Sequence, residues 1–277
     1  MQHSTEVLKI RTLLCFLNKE AKDCSVTKIA RTLGTEKYSI SRVLISLEEE
    51  GLVDRENRRK PVLTPYGRQE AQRYAERMQI AVNHMLYEGV DMNSAKADAF
   101  YWALYNSEKT MEVLQTADIK AHVKYAMSEK RTFGGEAFCR KFPDGTYSFP
   151  FLIYRTKIEQ GSNLSWANSG FENLCLLTVK DGIGTIQLRT KAAYAKNPMT
   201  GEEEGGYLRS MKYFDLGEYV CAEQSGTLVS FPASVLKFVT IGSGADCILH
   251  GSVCVKLGSV VGEREMREYD AVFTILI

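Results

Sequence analysis

Four cations in six residues, Arg55-Glu56-Asn57-Arg58-Arg59-Lys60, form a cluster that could neutralise phosphate oxygens. The same charge run also suits a solvated loop. Just upstream, Lys37, Tyr38, Ser39, Ser41 and Arg42 supply cations, hydroxyls and an aromatic ring within about two helical turns. These groups can hydrogen-bond base edges or phosphates if a helix presents them to a major groove. The pattern points to duplex DNA as a partner.

Other chemistry is sparse. Seven cysteines, at 15, 24, 139, 175, 221, 247 and 254, are odd in number and scattered, with no C-x-x-C pair. That argues for reduced thiols in a cytosol rather than a disulfide frame or a structural zinc site. The last five sit mostly in β-like apolar runs, where a buried thiol is the usual outcome. Of four histidines, His84 has Glu88 four residues on; the pair suits a metal or a solvated helix face. Gly182-x-Gly184 and Gly242-x-Gly244 lack the strand–helix setting of a nucleotide loop. No Ser-His-Asp or Cys-His spacing points to catalysis, so no catalytic residue and no cofactor are assigned.

The elements that must position the cations read as follows. Residues 6–19 make one amphipathic helix. A second runs from Ser25, as N-cap, through Val26, Ile29 and Leu33 to Gly34. Thr35 would cap a third helix, Glu36–Glu50, with Ile40, Val43, Leu44 and Leu47 as its buried stripe. Gly51 stops it and Leu52-Val53 begins an extended segment. Two short helices joined by a tight turn, then a basic hairpin, spell a winged helix-turn-helix.

Glycine marks a change further on: four of the twenty-one (34, 51, 67, 89) precede residue 130. Beyond it, short runs rich in Val, Ile, Tyr and Phe alternate with turn residues. Pro143-Asp144-Gly145 separates Ala137–Phe142 from Tyr147–Tyr154, and Asp181-Gly182 separates Leu174–Val179 from Thr185–Leu188, both as hairpins. Asn197–Gly206 reads as an exposed loop or hairpin tip. A helix through Met111–Met127 connects the halves. The fold class is α+β: a winged helix-turn-helix at 1–66, a helical dimerisation segment at 67–130, and a mainly antiparallel β domain at 131–277.

The chain has 277 residues, 44% of them apolar and 25% charged, the balance of a soluble globular protein. No window is apolar enough for a membrane span, and the N-terminus lacks a basic n-region ahead of an apolar core. A cytoplasmic location is expected. Net charge is +1, but residues 1–80 carry fifteen Lys/Arg against eleven Asp/Glu, a surplus of four.

Val26-Thr27-Lys28-Ile29-Ala30, Leu47-Glu48-Glu49-Glu50-Gly51-Leu52-Val53 and Leu63-Thr64-Pro65-Tyr66-Gly67-Arg68 resemble the winged-helix half of the DtxR/MntR iron- and manganese-dependent repressors. MarR-type regulators carry similar L-T-x-x-G endings. Gly89-Val90-Asp91, Asp98-Ala99-Phe100-Tyr101-Trp102 and Asn106-Ser107-Glu108 match the pacing of the DtxR/MntR dimerisation helices. The resemblance covers about residues 6–115. It implies a DNA-binding transcriptional repressor and a homodimer through Val82, Met85, Leu86, Ala99, Phe100, Ala103 and Leu104.

The family's metal ligands do not carry over. Phe100, Ala103 and Leu104 stand at the matching helix positions, Arg77 or Met78 at an upstream histidine, and Lys9 and Thr12 at the first-helix ligands. Only the Met78 thioether remains, so no metal site is assigned there. A relocated site using His84, Glu88, Asp91 or Asp98 stays open.

No resemblance covers the β half. Its large side chains, among them Phe149, Phe151, Tyr154, Trp166, Tyr194, Tyr207, Tyr213 and Phe214, form a core or line an effector pocket. Two function classes follow. One is a regulator whose β domain senses a small molecule or protein; the other is an interaction or scaffold protein that uses the winged helix for protein contacts.

Overall fold

The computed structural model describes residues 5–17, 24–157, 163–196, 203–262 and 264–277. The chain divides into two compact units, Met1–Asp118 and Ile119–Ile277. The first begins with α1 (Thr5–Leu17), α2 (Val26–Leu33) and α3 (Lys37–Glu49), then β1 (Val53–Asp54) and β2 (Val62–Leu63). It continues with α4 (Pro65–Tyr87), α5 (Met92–Tyr105) and the start of α6 (Glu108–Met127). Of the first helix expected at 6–19, residues 18 and 19 lie outside the described residues.

Local chemistry sets the helix-turn-helix. Ser25 takes the extended N-cap conformation, although its side chain makes no capping bond. Gly34 is left-handed at φ 62°, and its N–H and that of Thr35 return to the last carbonyls of α2. Thr35 N donates to Ala30 O at 3.0 Å. That bond makes Thr35 part of the α2 closure, so Glu36, not Thr35, is the N-cap of α3. Gly51 repeats the device after α3, with φ 71° and Leu52 N bonded to Leu47 O at 2.8 Å. Ile40, Val43, Leu44 and Leu47 are buried as the stripe predicts, against Leu13, Phe16, Ile29 and Val53.

Past the wing, Leu63-Thr64-Pro65-Tyr66-Gly67 locks the hairpin to α4. Thr64 Oγ1 accepts from Gly67 N at 2.9 Å and donates to Gly51 O at 2.7 Å. Pro65 opens the helix, where its missing N–H costs nothing. Gly67 lies flat on the Leu52 carbonyl; a Cβ there would sit 1.8 Å from that oxygen.

The second unit contains β3 (Thr132–Gly134), α7 (Gly135–Cys139), β4 (Gly145–Arg155), β5 (Leu174–Lys180), β6 (Ile183–Arg189), β7 (Ala193–Lys196) and β8 (Glu203–Asp215). Then come β9 (Glu218–Cys221), β10 (Glu223–Ser225), β11 (Leu228–Pro232), β12 (Lys237–Ile241), β13 (Ile248–Val261), β14 (Arg264–Glu265) and β15 (Tyr269–Leu276). Among the described residues they form one curled antiparallel sheet, ordered β10-β11-β6-β5-β4-β15-β13-β12-β3. The long β13 pairs β12 with its first half and β8 with its second, shifting register at Gly258/Ser259.

The hairpin expected at 181–182 is present: Lys180 pairs Ile183, and Asp181 and Gly182 both have positive φ, at 51° and 75°. The one expected at 143–145 is not. Phe138, Cys139 and Phe142 turn inward at helical spacing and are buried, so Gly135–Cys139 is the helix α7. Of Asn197–Gly206, residues 197–202 lie outside the described residues and 203–206 start β8. No helix among the described residues is long and apolar enough to cross a membrane.

Gly67→Ala should lower the stability of the first unit by about 1–3 kcal/mol, because backbone rather than a movable side chain meets the new methyl. Urea denaturation checks this; an unchanged midpoint would show that the Gly67–Leu52 contact yields freely.

Candidate nucleic-acid interface

The buried stripe of α3 determines which residues the helix offers outward. At about 100° per residue, the line opposite Ile40, Val43, Leu44 and Leu47 is Tyr38, Arg42, Ile45 and Glu49. Tyr38 is 69% exposed, and the Arg42 guanidinium lies 5.9 Å from its ring centroid. Lys37 is exposed beside them, whereas Ser39 and Ser41 are half-buried on the flanks. Ile45, 43% exposed, is absent from the sequence-based set. The helical wheel would have found it, because its place opposite the stripe needs no tertiary information.

The wing departs from its sequence in one respect. Arg55 is folded back: Nη1 donates to Glu48 Oε2 at 3.1 Å, and the side chain is only 11% exposed. It ties the hairpin to the end of α3. Two turns shape the rest, with Glu56 N bonded to Asp54 Oδ1 at 2.8 Å and Arg59 N to Asn57 Oδ1 at 3.1 Å. Arg58, Arg59 and Lys60 project from this frame, exposed and without an ion-pair partner among the described residues. The arrangement pairs an outward helix face with a separate cationic tip, the two contacts a winged helix makes with groove and backbone.

Residues 11–60 match the MarR family. The span takes in α2, α3, β1 and the cationic tip and stops short of β2. No curated protein matches the chain significantly. Among solved structures, the manganese regulator SloR is similar at 13% identity and TM-score 0.35, covering 84% of this chain and all 100% of that one. T. acidophilum IdeR follows at 16% and 0.32, covering 74% and 92%. The NEAT5 domain of the B. anthracis hemophore IsdX2, in complex with heme, gives 18% and 0.30, covering 48% and 96%. Similarities of that size assign no residue.

Behind the helix-turn-helix, most of the apolar residues expected at a dimer face pack within one chain. Met85 and Ala99 are buried in a cluster that packs α4 on α5, with Val82 and Leu86 against it, and Ala103 is buried as well. Phe100 is half-buried under the Arg11 guanidinium, 5.7 Å from its ring centroid, and Leu104 is half-buried. Spacing reports that a residue is buried, not which chain buries it. Exposed apolar groups on these helices include Tyr66, Tyr87, Met92, Tyr101, Tyr105 and Val113.

Arg77, 6% exposed, occupies the junction of the helices. Its Nε donates to Ala103 O at 2.7 Å, Nη1 to Glu108 Oε2 at 2.8 Å, and Nη2 to Asn106 O. A cation therefore already sits among the positions that resemble a metal site, and Lys9 adds another, bonded to Glu50 at 2.5 Å. These residues do not fit a divalent ion. The alternative set is dispersed: His84 Nδ1 lies 3.2 Å from Asp118 Oδ1, and Asp91 caps α5 through Asn93 N and Ser94 N. Among the described residues no three His, Cys, Asp or Glu come together for a metal.

In the second unit Phe149, Phe151 and Tyr213 are core, whereas Tyr194, Tyr207 and Phe214 are exposed. A cavity lined by Trp166, Phe171, Gly206 and Tyr269 has about 20 Å³, room for one water. Burial pushes the Cys139 thiol up to about 11 and Cys175 up to about 12, so neither ionises near neutrality. Cys247 is also buried; Cys221 and Cys254 are exposed.

Arg77→Leu should cost about 1–3 kcal/mol, because the Ala103 and Asn106 carbonyls lose their donor inside the protein. Arg73→Leu, whose Glu70 pair is solvent-facing, should change stability by no more than about 0.5 kcal/mol. Equal losses in chemical denaturation would remove the junction role from Arg77.

Proposed function

We propose that the chain is a DNA-binding transcriptional regulator, a repressor, that binds operator duplex in the cytoplasm as a homodimer. The observation that carries this reading is the pairing of the outward Tyr38 and Arg42 (Lys37 is exposed at the start of the same helix) with a projecting Arg58-Arg59-Lys60 tip. The tip also separates this reading from a scaffold protein, since a winged helix docked on protein has no need for three unpaired cations there. Ser39 and Ser41 flank the contact, and Arg55 acts by bracing the wing against Glu48.

A winged helix reads one half-site, and two-fold symmetry would double the contacts on a palindromic operator. Tyr101, Tyr105 and Val113, with the half-buried Phe100 and Leu104, offer the apolar surface for the second copy. Replacing Arg58 and Arg59 with Ala should weaken all duplexes alike and lower the salt slope by about one per lost phosphate contact. Titration should show two chains per operator. An unchanged slope would sink the wing assignment, and one chain per operator the dimer.

The operator complex forms without Mn²⁺, Fe²⁺ or Zn²⁺, because Arg77 and Lys9 supply fixed positive charge where ligands for an ion are missing. Affinity measured with chelator should match that with each metal. A tenfold gain, about 1.4 kcal/mol of coupling, abolished by His84→Ala would instead establish a metal switch at a relocated site.

An effector or partner of the β unit would engage its surface, given the size of the cavity. Val239, Ile241, Ile248 and Leu276 share an outward face, Ile241 opposite Ile248 and Val239 in line with His250 and Leu276. A protein is the partner that such a face suits. Ile241→Asp with Ile248→Asp should leave operator affinity of the pure protein unchanged and alter reporter output in cells; unaltered output would exclude this face.

A further inference from the structure

We infer that α3 reads thymine, with Ile45 packing on a thymine 5-methyl group in the major groove. This rests on the duplex binding proposed above and adds the base that the helix selects.

Ile45 is 43% exposed and lies on the outermost line of α3, seven residues beyond Tyr38 and three beyond Arg42. The winged-helix core is formed from the other side of the helix, by Ile40, Val43, Leu44 and Leu47. The outward line is therefore mixed: an aromatic hydroxyl, a guanidinium, then a branched aliphatic group. Tyr38 and Ile45 stand about 10 Å apart along the helix axis, at about 1.5 Å per residue. That span matches roughly three base-pair steps, so the two side chains meet different base pairs with Arg42 between them.

The major-groove edges of adenine, guanine and cytosine present donors and acceptors at these positions. Thymine alone adds a methyl group. An aliphatic side chain set against a polar edge would strip water from groups it cannot satisfy, whereas against a thymine methyl both partners lose apolar surface. Charge limits how far along α3 the contact extends. Glu48, Glu49 and Glu50 close the helix, and Glu49 carries no ion pair among the described residues. Their carboxylates would repel the phosphate backbone, so the helix enters by its first two and a half turns, from Lys37 to Ile45, and Ile45 is the last residue along the line that can reach a base. The three cations of the wing tip favour a duplex over a protein as the occupant of this face.

The test uses the full chain and its preferred duplex, selected from a random pool. That duplex is remade with deoxyuridine for every thymidine, which keeps the base pairing and removes only the methyl groups. The wild type should bind the uracil duplex roughly fourfold more weakly for each methyl that Ile45 covers. Ile45→Ala should bind both duplexes equally, and Ile45→Val should retain most of the discrimination. Because Ile45 is outside the core, circular dichroism melting should be the same for all three proteins. Equal binding of both duplexes by the wild type would overturn the thymine inference while leaving duplex binding intact. So would undiminished discrimination by Ile45→Ala, which would assign the methyl contact to another residue. Selection of no duplex at all would overturn both readings and turn the Tyr38–Ile45 line into a protein-docking face.

Discussion

A buried guanidinium holds the helical part of the first unit together. Arg77 enters from the middle of α4 and bonds to the last turn of α5, the residue that ends it and the first residue of α6. A guanidinium suits this place because it is always charged and offers five donors in a fixed plane. The carbonyls of Ala103 and Asn106 need donors, and with Arg77 present they have them without recruiting an ion or water. The apolar cluster of Ala81, Met85, Ala95 and Ala99 can then close with small side chains, bringing α4 and α5 near each other.

The helix-turn-helix depends on a different constraint, the closing of short helices by backbone bonds. Gly34 and Gly51 end α2 and α3 in the left-handed conformation, and Thr64 and Gly67 fasten the wing to α4. These contacts leave the outward face of α3 and the wing tip with no structural duty. Polar and cationic side chains that a fold does not use are available for a partner, and here they sit on two elements tied by the Arg55–Glu48 bridge. The wing is thus tied to the end of α3 at both of its strands, through Arg55–Glu48 and through Thr64 Oγ1 to Gly51 O.

How much of this was legible in the sequence depends on whether the deciding interaction is local. The helix pair, Gly34, Gly51 and the 181–182 hairpin follow from chain-neighbour chemistry and were read correctly. Thr35 was misassigned because its N–H closes the preceding helix, a competition between two caps one residue apart. Ala137–Phe142 read as a strand because a five-residue helix is too short for its period to show. Arg55 looked like its neighbours until the hairpin brought it to Glu48, seven residues away. Met85, Ala99 and Ala103 are placed at a dimer face by the family resemblance alone, and a resemblance carries no record of the α4–α5 packing that buries them within one chain. Ile45 is legible on the helical wheel, but an aliphatic group carries no charge or hydroxyl that marks it as a contact.

The central claim is that the first unit is a reader of duplex DNA. Genome-wide immunoprecipitation of the tagged protein tests it most directly. The account predicts discrete enriched sites that share a two-fold motif, with enrichment lost when Arg42, Arg58 and Arg59 are replaced together by Ala. Recovery of no site above an untagged control, or the same sites from the triple variant, would contradict it.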